Sequence, residues 1–488
     1  MFRVNILYII KALGSTLMFE TGFLLVALAV AVGYGGEDVR ALLVSACIMV
    51  GAGGLFVIIG RKADEKQVGK REGMLTVAFT WVILSFFGMF PFYLGGYIPS
   101  ITDAYFETMS GFTTTGTTVL ATVESLPHGI LLWRSLLQWQ GGIGMVVFTV
   151  ALLPIFGGYA SQLYDAETTG FSHERFRPRI AQVAKRLSGV YLLLTALITL
   201  LLWMGPMDLF DAVNHAMTSL STGGYSTRNA GLSYWNSAYV EYVIMFGMCI
   251  GAMKLMLFYF ALKGDFRYFR RDEETRWFLL YLAIFIVVTV GWLFYNGYET
   301  GFDTPENTFR KGAFQVISLA TTTGFVTADF TSWGAFYWLI ALMLMIVCGC
   351  GGSTSGGLKM GRAVILTKNT LNNFRKQTHP LAVMPVRVNG RAISQEVIER
   401  VHIFALVYFL LIIISWLFLL LCGLTFEEAI SLAVSAISNI GPSIGAYADA
   451  NMSALPMVAK WYLSFLMMVG RLEIFTVLTL FLPGFWRK

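Results

Sequence analysis

Charge is scarce in this chain: Asp, Glu, Lys and Arg make up 13% of its 488 residues, against about 25% in a typical soluble domain. With 56% hydrophobic residues and a mean hydropathy of +0.66, that scarcity excludes a water-soluble globular protein and leaves an integral membrane protein. Cysteine is sparse too. Cys47, Cys249, Cys348, Cys350 and Cys422 lie in or beside apolar runs, and none forms a Cys-x-x-Cys pair, so no disulfide or metal framework is expected. No Ser-His-Asp, zinc or phosphate constellation is present, and the chain is not expected to be an enzyme or to carry a covalent cofactor. It opens on one long apolar span rather than a short one followed by a small-residue cleavage site, so no removable signal peptide is expected.

What the chain does have is apolar runs. Stretches of the length that a hydrocarbon core of about 30 Å demands of a helix occur near 17–34, 41–60, 74–95, 130–156, 187–204, 239–262, 277–295, 334–348, 401–422 and 457–482, about ten spanning segments. The net charge of +6 does not point to nucleic acid, because the basic residues cluster in alternate loops beside the spans, as the positive-inside rule predicts. One cluster is Arg61, Lys62, Lys66, Lys70 and Arg71; the next is Arg175, Arg177, Arg179, Lys185 and Arg186. A third is Lys263, Arg267, Arg270, Arg271 and Arg276; the 359–400 stretch and Arg487-Lys488 complete that side. The opposite loops are acidic, with Glu37, Asp38, Asp103, Glu124, Asp208, Asp211, Glu299, Asp303, Glu427, Glu428 and Asp449. The pattern predicts a multi-pass membrane protein with both termini cytoplasmic.

Within this framework one short segment recurs four times: Thr113-Thr114-Thr115-Gly116, Ser221-Thr222-Gly223-Gly224, Thr321-Thr322-Thr323-Gly324 and Ser438-Asn439-Ile440-Gly441. The copies align without a gap back to Asp103, Asp211, Lys311 and Glu428, each followed by a small residue (Ala104, Ala212, Gly312, Ala429), and Ser110, Thr218, Ser318 and Ser435 recur six residues before each glycine. Internal repeats of this kind set the architecture. Each copy reads as a spanning helix, a short re-entrant helix ending at the glycine and a second spanning helix, over 72–157, 182–262, 275–370 and 394–482; residues 1–60 form an extra two-helix hairpin. The expected fold is all-α, with four pseudo-symmetric units around a central pore. Thr425-x-x-Glu428 reads as a capping box, Asp103 and Asp211 fall in first turns, and Pro305-Glu306 opens the third re-entrant helix. The ten residues from Asp103 to Phe112 reach about 15 Å at the helical rise, half a bilayer. Non-helical backbone at that depth is tolerated only where it is buried in protein or lines a water-filled cavity.

Such a constellation suits a cation. Four converging turns supply rings of carbonyl oxygens to replace the ion's water, and glycine permits the φ values the turn requires. The helices point their negative C-terminal ends at the cavity, and the acidic outer loops are expected to concentrate cations at the mouth. The candidate ligands are Thr114, Thr115, Gly116, Thr222, Gly223, Gly224, Thr322, Thr323, Gly324, Asn439, Ile440 and Gly441. A Thr-Thr-Thr-Gly taken singly is an ordinary helix C-cap; four in register are not.

On these turns, together with Gln138-Trp139-x-Gly141-Gly142-x-Gly144, Ala261-Leu262-Lys263-Gly264-Asp265, Gly349-Cys350-Gly351-Gly352-Ser353-Thr354 and Gly470-Arg471-Leu472-Glu473, the chain resembles the Trk/Ktr/HKT superfamily of potassium transport proteins, and within it the bacterial TrkH type, over essentially its whole length. The resemblance implies potassium uptake, with the glycine of each turn selecting potassium over sodium. It also implies a homodimer working with a cytoplasmic TrkA-type regulator that carries the nucleotide. The basic stretches near 170–186, 263–276 and 368–391 are the candidate docking surface. Met248-Cys249-Ile250-Gly251-Ala252-Met253-Lys254 departs from the Gly-Ile-Asn type of sequence expected there.

The second helix of the third copy is interrupted by Gly349-Cys350-Gly351-Gly352-Ser353-Thr354-Ser355-Gly356-Gly357, five glycines in nine residues, each costing roughly 1 kcal/mol against alanine in a helix. The resemblance makes this an intramembrane gating loop below the turns. A nucleotide cradle is the rival, but Gly357 is followed by Leu358 before Lys359, and a Walker loop needs Lys directly after its last Gly. Arg471 in the last span is an expensive charge. It is either an electrostatic barrier facing the pore near the loop, or a structural partner of Glu473 or a snorkelling end. Glu20 is read as a structural carboxyl of the extra hairpin, and His215 and His402 as packing or polar contacts. The rival function is a sodium- or proton-coupled symporter working by alternating access; such proteins carry broken helices in corresponding inverted repeats, whereas here one break is expected and all four copies share one orientation.

Overall fold

The computed structural model describes residues 4–63, 69–152, 180–296 and 304–486. The cluster residues Lys66, Arg175, Arg177, Arg179, Arg487 and Lys488, the acidic Glu299 and Asp303, and the 170–179 part of the first basic stretch lie outside them.

An N-terminal hairpin pairs Ile6–Tyr34 with Val39–Ile59. Small residues let the two helices touch: a β-carbon on Gly14 would stand 2.7 Å from the Gly53 carbonyl oxygen, the close backbone approach that substitutes for a hydrophobic driving force in lipid. Asp38, between the two helices, reaches the first repeat, where its Oδ2 accepts the Ile130 N–H at 3.0 Å. The hairpin thereby caps the N-terminus of helix His128–Leu152.

Four units follow. Their outer helices are Lys70–Gly88, Ile180–Trp203, Glu273–Asn296 and Gln395–Leu421. Their re-entrant helices are Ile101–Phe112, Leu209–Leu220, Pro305–Ala320 and Phe426–Ser438. The N-cap oxygens of Ser100, Asp208, Thr304 and Thr425 each accept the N–H three residues on, relieving one orphan donor per helix. Only the Thr425 cap and its reciprocal Glu428 were visible as a motif. The re-entrant helices are wrapped by protein. From Ala104 to Phe112 every residue but Glu107, Thr108, Ser110 and Gly111 is aromatic, apolar or small, and all are buried, whereas the outer helices turn Leu192, Leu193 and Leu200, or Leu406, Ile413 and Ile414, outward as a lipid-facing surface requires.

Among the described residues six helices are long and apolar enough to cross a membrane, or eight if two bent pairs each count as one span. The inner helices depart from the expectation of a single break. That of the second unit bends by 104° between Ala238–Ala252 and Leu255–Leu262, and that of the fourth by 116° between Met457–Arg471 and Ile474–Phe481. The third runs Gly334–Ile346, stops at the glycine-rich loop and resumes at Met360–Thr378. In the second unit the physical reason lies in the loop, which captures the carbonyls of Gly251 and Ala252 that a continuous helix would use internally.

One two-stranded ribbon interrupts the all-α architecture. Arg387–Val388 pairs antiparallel with Arg391–Ala392 about Asn389-Gly390, both at positive φ, the signature of a tight hairpin turn. Val386 and Val388 pack with Ile365, Val397, Ile398 and Val401 in a small core of their own.

Candidate functional site

Each re-entrant helix ends in the same hydrogen-bonded motif. The N–H groups of Thr114, Thr222, Thr322 and Asn439 donate to Gly111, Ser219, Leu319 and Ala436, and those of Thr115, Gly223, Thr323 and Ile440 donate to Ser110, Thr218, Ser318 and Ser435 at 2.8–3.0 Å. This paired 5→2 and 6→1 pattern is a Schellman cap, which calls for a left-handed residue at its apex. Thr114, Thr222, Thr322 and Asn439 occupy it, at φ of 53, 55, 61 and 56°. Left-handed backbone costs an L-residue roughly 1–2 kcal/mol, and three β-branched threonines in it mark strain that the surrounding fold must hold. The recurrent Ser or Thr of the sequence alignment is the residue whose carbonyl closes the motif.

Two residues beyond each apex the chain turns left-handed again, at Gly116, Gly224, Gly324 and Gly441 with φ of 85, 80, 80 and 102°. The turns meet in a closed cycle. A β-carbon on Gly116 would lie 2.1 Å from the Gly223 carbonyl oxygen, on Gly224 2.1 Å from that of Thr323, on Gly324 2.0 Å from that of Ile440, and on Gly441 2.5 Å from that of Thr115. Each glycine is therefore fixed twice, by its own φ and by the neighbouring turn. The threonines and Asn439 of the turns are fully buried. The cycle is braced asymmetrically: Gln138 Nε2 donates to the Gly223 carbonyl at 2.7 Å while its Oε1 accepts the Tyr225 N–H at 3.0 Å, and Asn439 Nδ2 donates to Thr115 Oγ1 at 3.1 Å.

Glycines of the inner helices let the turns sit close. A β-carbon on Gly141, Gly251 or Gly470 would lie 1.9, 2.5 or 2.0 Å from the carbonyl oxygen of Phe112, Leu220 or Ile437, the equivalent residue in each re-entrant helix. The third unit lacks this contact, and its glycine-rich loop crosses beneath the turns instead. Thr354 donates through N–H and hydroxyl to Gly251 O at 3.1 and 2.9 Å, and through the hydroxyl to Leu220 O at 3.1 Å. Cys350 N–H donates to Ala252 O at 2.8 Å, Gly351 N–H to Glu274 Oε1 at 2.7 Å, and Gly356 N–H to Thr322 Oγ1 at 3.1 Å. Ser353 and Ser355 bond to each other at 2.8 Å. Gly352 and Gly357 take φ of 71 and 70°, and a β-carbon on Gly349 would stand 2.7 Å from Ala252 O.

Arg471, 1% exposed, donates Nη1 to Thr354 O at 2.5 Å and Nη2 to Gly141 O at 2.9 Å. Among the described residues no carboxylate pairs with it. Glu473, its suggested structural partner, pairs instead with Arg362 at 2.5 Å and lies 3.9 Å from Lys359. Glu20 is buried in the first helix. His215 is held by Asp211 O at 2.8 Å and Ser226 Oγ at 3.0 Å and His402 by Ile398 O at 2.8 Å, polar contacts of the kind the sequence suggested.

On the other side of the turns opens a cavity of about 570 Å³ lined by Gly116, Gly224, Gly324, Arg134, Asp329 and Asn451 among others. Two carboxylates line it, Asp329 and Asp449, whereas three acidic residues of the first two re-entrant helices are ion-paired. Asp103 pairs with Lys460 at 2.7 Å, Asp211 with Arg228 at 2.8 Å and buried Glu107 with Arg134 at 2.9 Å. Lys311, the one cation among the aligned positions, pairs with Glu241 at 2.6 Å. Glu241 and Lys460 both stand ten residues before the packing glycine of their inner helix, Gly251 and Gly470, so two unit boundaries use the same pair with its signs reversed.

The fold and this site define a multi-pass membrane transport protein built from four units of one chain. The family model for TrkH, described as cation transport protein, matches residues 44–488, and the chain belongs to that family. It is 36% identical over 485 residues to the Trk system potassium uptake protein TrkH of Escherichia coli, covering 98% of this chain and 99% of that one. To the TrkH of Halomonas elongata it is 34% identical over 484 residues, 98% and 99% of the two chains. The crystal structure of the potassium transporter TrkH from Vibrio parahaemolyticus superposes with a TM-score of 0.90 at 31% identity, covering 99% of this chain and 100% of that one. These relatives are transporters, not enzymes.

Proposed function

We propose that this chain is the potassium-conducting subunit of a bacterial uptake system, with the four turns as its selectivity filter and the 349–357 loop as its gate. The observation that carries the reading is the closed cycle in which each turn glycine abuts the carbonyl of the next turn. Such a cycle brings the carbonyls of Thr115, Gly223, Thr323 and Ile440 together, a ring of the kind that replaces a cation's hydration shell. The names of its relatives in Escherichia coli and Halomonas elongata supply the ion.

The loop lies against the cytoplasmic side of the filter and, anchored to Thr322 and Leu220, closes the path. Arg471 adds a buried positive charge at the same level, where a cation leaving the filter meets it. Opening requires the loop to leave Gly251, Leu220, Thr322 and Arg471 together. The regulator is a cytoplasmic nucleotide-binding ring of the TrkA type, docked on the basic stretches near 170–186, 263–276 and 368–391; two copies of the chain assemble as a homodimer, both termini cytoplasmic, in the inner membrane.

Bilayer currents under a potassium–sodium gradient test the reading. A reversal potential directed to potassium, lost in Gly324→Ser, supports it; sodium permeability equal to that of potassium in the unaltered protein overturns it. Coupled symport is the second reading, favoured by the breaks in three inner helices, and concentrative vesicle uptake that requires a sodium or proton gradient would establish it.

A further inference from the structure

Lys254 stands at the break of the second inner helix, where the sequence departs from its family's pattern. Its ammonium is buried, 2% exposed, and is shared by two buried carboxylates: Glu274 Oε2 at 2.7 Å and Asp272 Oδ1 at 2.9 Å. Asp272 uses its other oxygen to accept the N–H of Thr275 at 2.9 Å and its hydroxyl at 2.6 Å, capping the helix Glu273–Asn296 that carries Glu274. The helix N-terminus helps to hold this excess of negative charge. Glu274 turns its free oxygen to the glycine-rich loop, accepting the Gly351 N–H at 2.7 Å, and a β-carbon on Gly361, just beyond the loop, would stand 2.9 Å from that same oxygen. Glu273, one residue earlier, faces the cytoplasmic ribbon: it pairs with Lys368, accepts the Asn389 N–H at 3.0 Å, and its own N–H donates to Asn389 Oδ1 at 2.6 Å. One helix N-terminus therefore grips the ribbon with one carboxylate and the loop with the next.

We infer that Lys254 and Glu274 form a latch that holds the loop shut, and that the ribbon at Asn389 is the handle through which a displacement on the cytoplasmic surface releases it. Lys254 is a positioning residue. It pairs with Glu274 and keeps it aimed at Gly351, a charge-assisted hydrogen bond of the stronger kind. Removing the ammonium leaves two buried carboxylates facing each other without the cation that holds them together, and their repulsion weakens the hold of Glu274 on Gly351. The inference rests on the reading of 349–357 as the gate.

The test is single-channel recording from the full-length protein in planar bilayers, comparing Lys254→Met, Lys254→Arg, Glu274→Gln and the double variant Lys254→Met/Glu274→Gln with a loop deletion of 351–356. Glu274→Gln is nearly isosteric and guards against a Lys254→Met that fails to fold. The latch predicts a rise in open probability of roughly tenfold, equivalent to about 1.4 kcal/mol, in Glu274→Gln and in Lys254→Met. It predicts no further rise in the double variant, recovery in Lys254→Arg, and a reversal potential that stays at its original value, which a merely structural loss would not spare. A loop deletion that raises current while both single variants keep the original open probability overturns the latch and leaves the gate reading standing. A loop deletion without effect on current overturns the gate reading and the latch with it.

Discussion

The carbonyl oxygen of Ile440 lies 2.0 Å from the point where a β-carbon on Gly324 would stand, at a φ of 80°. Steric room and backbone conformation therefore exclude every residue but glycine there. Gly324→Ala must push the Ile440 carbonyl out of the ring, and the potassium-to-sodium permeability ratio is expected to fall at least tenfold, about 1.4 kcal/mol of lost discrimination. Reversal potentials under bi-ionic conditions read that ratio directly.

Thr322 offers a second handle on the gate. Its hydroxyl accepts the Gly356 N–H, so Thr322→Val, which keeps the shape and loses the acceptor, leaves a buried donor unpaired and removes about 1 kcal/mol or more from the closed arrangement. Open probability is expected to rise severalfold in single-channel records; a fall would contradict the assignment of this bond to the closed state.

Arg471 spans the loop and the first inner helix through Thr354 and Gly141. Arg471→Lys keeps the charge but cannot make both bonds from one planar fork, whereas Arg471→Gln loses the charge. If the residue acts as a barrier, Gln raises unit conductance and Lys does not; if it acts as a clamp, both raise open probability. Recording conductance and open probability together separates the two.

The reversed ion pairs at unit boundaries make a structural prediction. Asp103→Lys sets two ammonium groups side by side and is expected to lower the melting temperature in detergent, while Asp103→Lys/Lys460→Asp copies the order found at Lys311–Glu241 and restores most of it. The coupling is expected at about 0.5–1 kcal/mol, because Asp103 is 28% exposed and solvent screens part of the pair.

Much of this was legible in the sequence. The turn glycines, the Ser or Thr six residues before each, the capping box at Thr425 and the interruption at 349–357 all follow from local chemistry, and the structure has each where periodicity put it. The left-handed apex at Thr114, Thr222 and Thr322 was not legible, because β-branched residues argue against that conformation and only the converging turns enforce it. The breaks at Met253 and Leu472 were hidden for a similar reason: apolar residues resume beyond the charged Lys254, Arg471 and Glu473, and what captures the carbonyls at the second unit's break, such as Cys350 on Ala252, lies far along the chain. The acidic outer loops gave no sign of the ion pairs among them: Lys460 and Arg228 answer Asp103 and Asp211 from positions that only folding brings near, while Asp449 lines the cavity. Lys254 stood out as a departure, but its partners Asp272 and Glu274 gave no sign of themselves.

Among the described residues only the third unit sends a loop beneath the turns. In a pore assembled from four identical subunits, symmetry would oblige four gates to move in concert, and opening would carry the steep, sigmoidal dependence of a multi-step transition. With four diverged copies in one chain, the proposed gate is a single obstruction that serves the whole path. Its opening is then a one-step equilibrium with one relaxation time within each chain, and any steepness in its response to a regulator must arise in the regulator or between two chains.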